Sequence, residues 1–160
     1  MVKKRPEPPS IVNRRAFYDY HVQTQNELTA GMVLSGAEVR AIRDGRANLK
    51  GAFVSVKNDE LWLNNASLSL RASGPGNDIT VDSRPRKLLA SKKQISDLIK
   101  AKQSGLTIVP IKILAGGRYI KAVIAPAKGK KTYDKRQVLK KRAEMRDIRQ
   151  ADKLRRKATT

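Results

Sequence analysis

The chain has 160 residues, with 35 Lys/Arg against 14 Asp/Glu and a formal net charge of +21, enough for one compact domain with extensions but not for two full domains. Zero cysteines exclude disulfides, thiolate zinc sites and thiol catalysis, and the single histidine, His21, has no second histidine with which to hold a metal. No apolar run approaches the ~18 residues of a membrane span, and the basic start Met1-Val2-Lys3-Lys4-Arg5-Pro6 lacks the apolar segment of a secretory signal, so the expectation is a cytoplasmic protein, off the membrane, whose charge calls for a polyanion.

Residues 1–10 carry Pro6, Pro8 and Pro9 among charges and read as a disordered lead. A body is expected over 11–127. Phe17–Gln23, aromatic and β-branched, reads as a strand, and Ala30–Leu34 as another. Ser35-Gly36-Ala37-Glu38 is a capping box opening a short helix, with Val39 and Ile42 inward, Arg40 and Arg43 outward, and Asp44-Gly45 closing it. Ala52–Lys57 and Glu60–Asn65 flank a hairpin turn at Asn58-Asp59. Phe53 and Trp62 are expected in the core. Ala72–Pro85, rich in Gly, Pro, Ser and Asp, reads as a long surface loop with a brief strand at Ile79–Val81.

Ser91-Lys92-Lys93-Gln94 is a second capping box. Its helix puts Ile95, Leu98 and Ile99 on one face and ends at Gly105. Leu106–Ala115 and Arg118–Ala125 flank Gly116-Gly117 and read as a hairpin. Its first strand should turn Val109, Ile111 and Ile113 to one face, and its second Ile120, Ala122 and Ile124. Pro110, having no N–H, predicts an edge or a bulge. Several short strands with two helices predict a mainly β fold, a small curved antiparallel barrel with helices on its rim.

The tail, residues 128–160, holds 14 Lys/Arg and 4 Asp/Glu, with Val138, Leu139, Met145, Ile148 and Leu154 as its large aliphatics. Such a segment buries too little apolar area to offset its ordering entropy, so it reads as disordered alone and helical when bound. From Lys135 to Lys157 there is neither Gly nor Pro, and good helix formers predominate.

No catalytic set assembles. His21 lies in a strand pattern without a nucleophile motif, Asp59-Glu60 falls in a turn, and Ala127-Lys128-Gly129-Lys130-Lys131-Thr132 lacks the first glycine of a phosphate-binding loop. Nucleic acid is the expected partner. Basic clusters occur at Arg14-Arg15, Arg40/Arg43/Arg46, Arg84/Arg86/Lys87 and Lys92/Lys93. Aromatics make up only 4%, too few for a stacking sheet, which favours a folded RNA over a threaded single strand.

Five segments, in order, carry a resemblance: Asn13-Arg14-Arg15-Ala16, Ala30-Gly31, Gly36 through Leu49, Arg84-Pro85-Arg86-Lys87-Leu88-Leu89, and Ala127 through Arg136. Together they resemble the SsrA-binding protein (SmpB) family, the protein partners of bacterial tmRNA. The resemblance implies an oligonucleotide-binding-like barrel with helices and a basic tail. It implies an adaptor rather than an enzyme, with no cofactor, that binds the tRNA-like domain of tmRNA and brings it to stalled ribosomes for trans-translation. Elongation factor Tu would join the delivery complex, and the protein would act as a monomer.

By the same resemblance, Asn13, Leu89, Arg86 and Lys87 would serve tmRNA, and the basic clusters add Arg14, Arg15 and Lys92 to that surface. Lys128, Lys130, Lys131, Tyr133, Asp134, Lys135 and Arg136 would serve the decoding centre and mRNA channel of the small ribosomal subunit, where the tail would form a helix. One departure stands out: many family members have Glu before Ala-Gly, and this chain has Thr29. Two other readings fit the composition. One is a structural ribosomal protein with an rRNA-binding tail. The other is an RNA-processing enzyme, disfavoured by the single His and the absence of Cys.

Overall fold

The computed structural model describes residues 10–71 and 78–158. The chain divides after Gly129 into two compact units. The last barrel strand runs through Gly129.

The first unit opens with strand β1 (Ser10–Val12), helix α1 (Arg14–Asp19) and strand β2 (Tyr20–Val22). The strand expected over Phe17–Gln23 is therefore corrected to a helix that hands over to a short strand. Asn13 decides this locally: its side chain accepts from Ala16 N and starts the helix, overriding the β preference of Phe17 and Tyr18. A single 3₁₀ turn at Thr24–Asn26 leads into β3 (Leu28–Met32), which begins two residues before the expected strand.

Helix α2 (Gly36–Arg43) starts with the anticipated capping box, Glu38 N donating to Ser35 Oγ and Ser35 N donating to Glu38 Oε2. It stops where Gly45 takes φ 72°. Next come β4 (Ala47–Asn48), β5 (Phe53–Lys57), β6 (Glu60–Asn64), β7 (Ser67–Arg71), β8 (Ile79–Asp82) and β9 (Arg86–Leu89). Asn58 and Asp59 adopt φ of 50° and 57°, the mirror-image turn that suits a two-residue hairpin. Part of the loop expected over Ala72–Pro85 lies outside the described residues, and β8 realises its brief strand. Helix α3 (Lys92–Gln103) has the second capping box, and β10 (Thr107–Leu114) and β11 (Lys121–Gly129) form the final hairpin.

Strands β10, β5, β6, β9, β3 and β11 are hydrogen-bonded in that order, and β10 also pairs with β11. The result is a closed, six-stranded antiparallel barrel, so the fold is mainly β and oligonucleotide-binding-like, as expected. β1 extends it beside β10 and β2 beside β11, while β4, β7 and β8 make a separate three-stranded sheet. Leu61, Leu63, Leu88, Ile108, Ile113, Ala122 and Ile124 fill the barrel, and Ile42, Ile95 and Leu98 join them from α2 and α3. Burying each large aliphatic contributes about 1.5–3 kcal/mol.

The expected single face of Val109, Ile111 and Ile113 does not exist. The β10–β11 register slips between Pro110 and Lys112. This bulge inserts one residue and reverses the alternation. Ile108 and Ile113 face the main core, whereas Val109 packs with Ala16 and Ala127, and Ile111 with Val123 and Ala125. Those outer clusters are covered by α1 and β2 residues, notably Ala16, Tyr20 and Val22. Phe53 and Trp62 are also corrected: Phe53 is exposed and Trp62 half-buried, on the outer face, because Val54, Leu61 and Leu63 take the inner positions.

The second unit is dominated by α4 (Thr132–Ala158), which takes in the Gly- and Pro-free stretch Lys135–Lys157 of the tail expected to be disordered alone and helical when bound. Asp134 accepts from Lys131 N, and Lys135 N donates to Lys131 O, fixing the first turn. Leu139, Met145, Ile148 and Leu154 are exposed. Among the described residues, no helix is long and apolar enough to cross a membrane.

Candidate nucleic-acid interface

Asn13 is buried at 4% exposure. Its Nδ2 donates to Pro110 O at 2.8 Å, its backbone N–H to Ile111 O at 2.7 Å, and its Oδ1 accepts from Ala16 N at 3.2 Å. One residue, through its side chain and its backbone N–H, thus ties the start of α1 to the carbonyls of the β10 bulge. It has no exposed polar group to offer a ligand. What it presents are its neighbours, since Arg14 and Arg15 follow on the first turn of α1 and are exposed. Arg15 donates through Nε to Asp19 Oδ2 at 2.7 Å, and its guanidinium lies 4.9 Å from the Tyr18 ring centroid.

Strand β9 sorts its residues by parity. Arg86 and Leu88 point inward, Lys87 and Leu89 outward. Arg86, expected at an RNA surface, is buried at 1% exposure and turns to the protein interior. Its Nε donates to Glu38 Oε1 at 2.8 Å and its Nη1 to the Ala66 and Arg84 carbonyls, while Arg84 reaches the same carboxylate at 2.9 and 2.7 Å. Burial would raise the Glu38 pKa, but the Ser35 N–H and the two guanidiniums outweigh it and hold the carboxyl below its ordinary range. The same pairing raises the Arg84 pKa. No local signal announced this, because Glu38 and Arg86 are 48 residues apart. Recognising β9 as a strand would have placed Arg86 beside Leu88 on the inner face.

Lys87 lies directly opposite Trp62 and forms an ion pair with Glu60. Leu89 is 53% exposed and sits in register with Gly31 on β3, whose other neighbour is the exposed Lys121 on β11. A Cβ on Gly31 would meet Leu89 Cβ at 3.5 Å, so the glycine leaves a shallow, unfilled step beside Leu89. Thr29 is exposed two positions along the same strand. Lys121 is a cation of this face that the sequence did not single out as a site. Lys92 is exposed in the first turn of α3, a turn without an acidic residue. A cation there opposes the helix dipole.

Of the residues expected to meet the ribosome, Lys128 belongs to the barrel, exposed on β11 opposite His21. Lys130 and Lys131 precede α4. Tyr133 is 69% exposed and accepts from Gln137 Nε2 at 2.9 Å. Asp134 and Lys135 are partly covered and Arg136 is exposed. Asp134 thereby has a structural reason to stand among cations, as the acid of the first turn. Among the described residues, no group of three His, Asp or Glu could hold a metal ion.

A closed oligonucleotide-binding-like barrel, cations and an exposed leucine on its outer strands, and a long basic helix define a class of small RNA-binding barrel protein. Within that class the match is specific. The SmpB protein family matches residues 10–154, and the chain belongs to it. The SsrA-binding protein of Carboxydothermus hydrogenoformans is 44% identical over 141 residues, covering 87% of this chain and 92% of that protein. That of Staphylococcus carnosus is 40% identical over 157 residues, covering 96% and 98%. A solved structure described as "tmRNA-SmpB: a journey to the center of the bacterial ribosome" superposes with a TM-score of 0.60 at 35% identity, covering 78% of this chain and 86% of that one.

Proposed function

We propose that the chain is a noncatalytic adaptor that binds the tRNA-like domain of tmRNA and delivers it to stalled ribosomes for trans-translation. The observation that carries this reading is the family match, which runs through both the barrel and most of α4. The body takes the tmRNA, through the Arg14-Arg15 turn and the Lys87, Leu89 and Lys92 region. Asn13 and Arg86 act from behind, by holding those elements in place. The tail, from Lys130 through α4, serves the decoding centre and mRNA channel, with Tyr133 offering a ring and Lys135 and Arg136 offering cations. Elongation factor Tu takes part in delivery, the adaptor acts as a monomer, and its place of work is the cytoplasm.

The test separates the two units at the boundary of the fold. A chain ending at Gly129 keeps β11 whole and its pairing with β2. It is expected to bind tmRNA within a few-fold of the full chain and to lose all tagging of stalled nascent peptides. Equal loss of both activities would refute the division of labour. Stoichiometric presence on every purified ribosome, stalled or not, with no tmRNA co-purifying, would favour the structural ribosomal protein instead.

A further inference from the structure

The chain contains one tryptophan, and the fold does not use it as core. Strand β6 buries Leu61 and Leu63 completely and turns Trp62 to the outer face of the barrel. There its cross-strand neighbours are Ser55 on β5 and Lys87 on β9. Neither is an apolar group of the size that normally covers an indole. A cleft of about 300 Å³ opens at this place, lined by Trp62, Pro85, Asn64, Glu60, Lys57 and Asn58. That volume is at the lower limit of small-ligand clefts, ~300–1,000 Å³. Two flat apolar surfaces, an indole and a proline ring, bound it. Polar groups fill the rest. Asn64 Nδ2 donates to Ser55 Oγ at 2.8 Å and to Trp62 O at 3.0 Å, which fixes the amide. Glu60 is held by Lys87.

We infer that this cleft receives one unstacked nucleobase of the bound RNA, with Trp62 as its stacking platform. The inference rests on the RNA-binding reading above and deepens it. An aromatic face stacks on any base. The Glu60 carboxylate can accept from an exocyclic amino group, and Lys57 and Lys87 lie where the flanking phosphates would be neutralised. The site continues along β9 to Leu89, two residues beyond Lys87 on the same face. Base readout and phosphate neutralisation therefore meet on one strand pair. One platform suits a folded RNA that offers a single extruded base, as the low aromatic content requires.

The lone tryptophan makes the test selective. A labelled transcript of the tRNA-like domain of tmRNA is titrated with the full chain, reading RNA anisotropy and indole emission together. Emission should be quenched saturably, in step with anisotropy. Trp62→Leu keeps the apolar bulk without the ring and should bind about tenfold more weakly, roughly 1.4 kcal/mol. Trp62→Phe keeps a ring and should bind within about threefold of the parent. Circular dichroism melts confirm that both variants fold. Binding with unchanged emission, or equal affinity of the Leu and Phe variants, would overturn the stacking site while leaving the adaptor reading intact. Absence of RNA binding by the parent chain would overturn both.

Discussion

Arg86 Nε lies 2.8 Å from Glu38 Oε1, with the two side chains 0% and 1% exposed. A helix and a barrel strand are thereby joined through a charge pair that water does not reach. Asp82 adds a second carboxylate, 3.5 Å from Arg86 Nη2, and Arg84 covers the pair from the solvent side.

Removing one member of such a pair leaves the other buried and uncompensated. Glu38→Gln should lower stability by about 3–5 kcal/mol at neutral pH, measured by urea unfolding. The sign of the pH dependence follows from the lowered Glu38 pKa. Its contribution is complete above the ordinary glutamate value and fades as pH falls through the lower folded value. The stability gap between parent and variant should therefore narrow in acid. A gap that stays constant with pH would show that the carboxylate charge is not what stabilises the pair.

Asn13 supplies the second prediction. Asn13→Ala loses the helix cap and leaves the Pro110 carbonyl without its donor. A cost of about 1–2 kcal/mol is expected. Because Asn13 is buried with its side-chain amide paired inside the protein, the variant should bind tmRNA more weakly with an unchanged salt slope. The double variant Arg14→Ala/Arg15→Ala should reduce that slope by roughly one for each phosphate no longer neutralised. A shallower slope for Asn13→Ala would place Asn13 itself at the RNA.

Lys92 gives the third. A cation in the first turn of α3 opposes the helix dipole. Lys92→Glu should raise stability by about 0.5–1 kcal/mol, read as a higher melting temperature. The same change should weaken RNA binding several-fold. Increased stability with unaltered affinity would remove Lys92 from the interface and leave a surface charge without a ligand.

The parts of the fold visible in the sequence were those set by neighbours a few residues apart. Ser35 with Glu38, Ser91 with Gln94, and Asn58 with Asp59 each carry their geometry in a short span, and each forms as expected. The β10–β11 hairpin and the barrel class followed from alternation over longer runs. What escaped was set by tertiary context. Phe17 and Tyr18 favour strands in isolation, but the Asn13 cap and the seat for Ala16 above Val109 and Ala127 select a helix. Pro110 announced an irregularity, yet no rule of composition says on which side of it the alternation resumes. Arg86 and Lys87 look alike in a basic cluster, and only the pleat of β9 turns one to Glu38 and the other outward. The candidate surface was legible as charge and as family pattern. Its division into exposed residues and the buried residues that hold them in place was not.

The bulge in β10 has a consequence for chain length. Because the extra residue at Ile111 shifts the alternation by one, Ile108 before it and Ile113 after it both face the barrel interior, while Val109 turns to the layer beneath α1. Deleting Ile111 would restore a regular strand and leave Ile113 facing the core, but it would take from the outer layer the side chain that packs on Val123 and Ala125. It would also withdraw the Ile111 carbonyl, to which the Asn13 backbone N–H donates. In β10 the spacing that would serve the core alone and the spacing that also serves Asn13 and the outer layer differ by one residue.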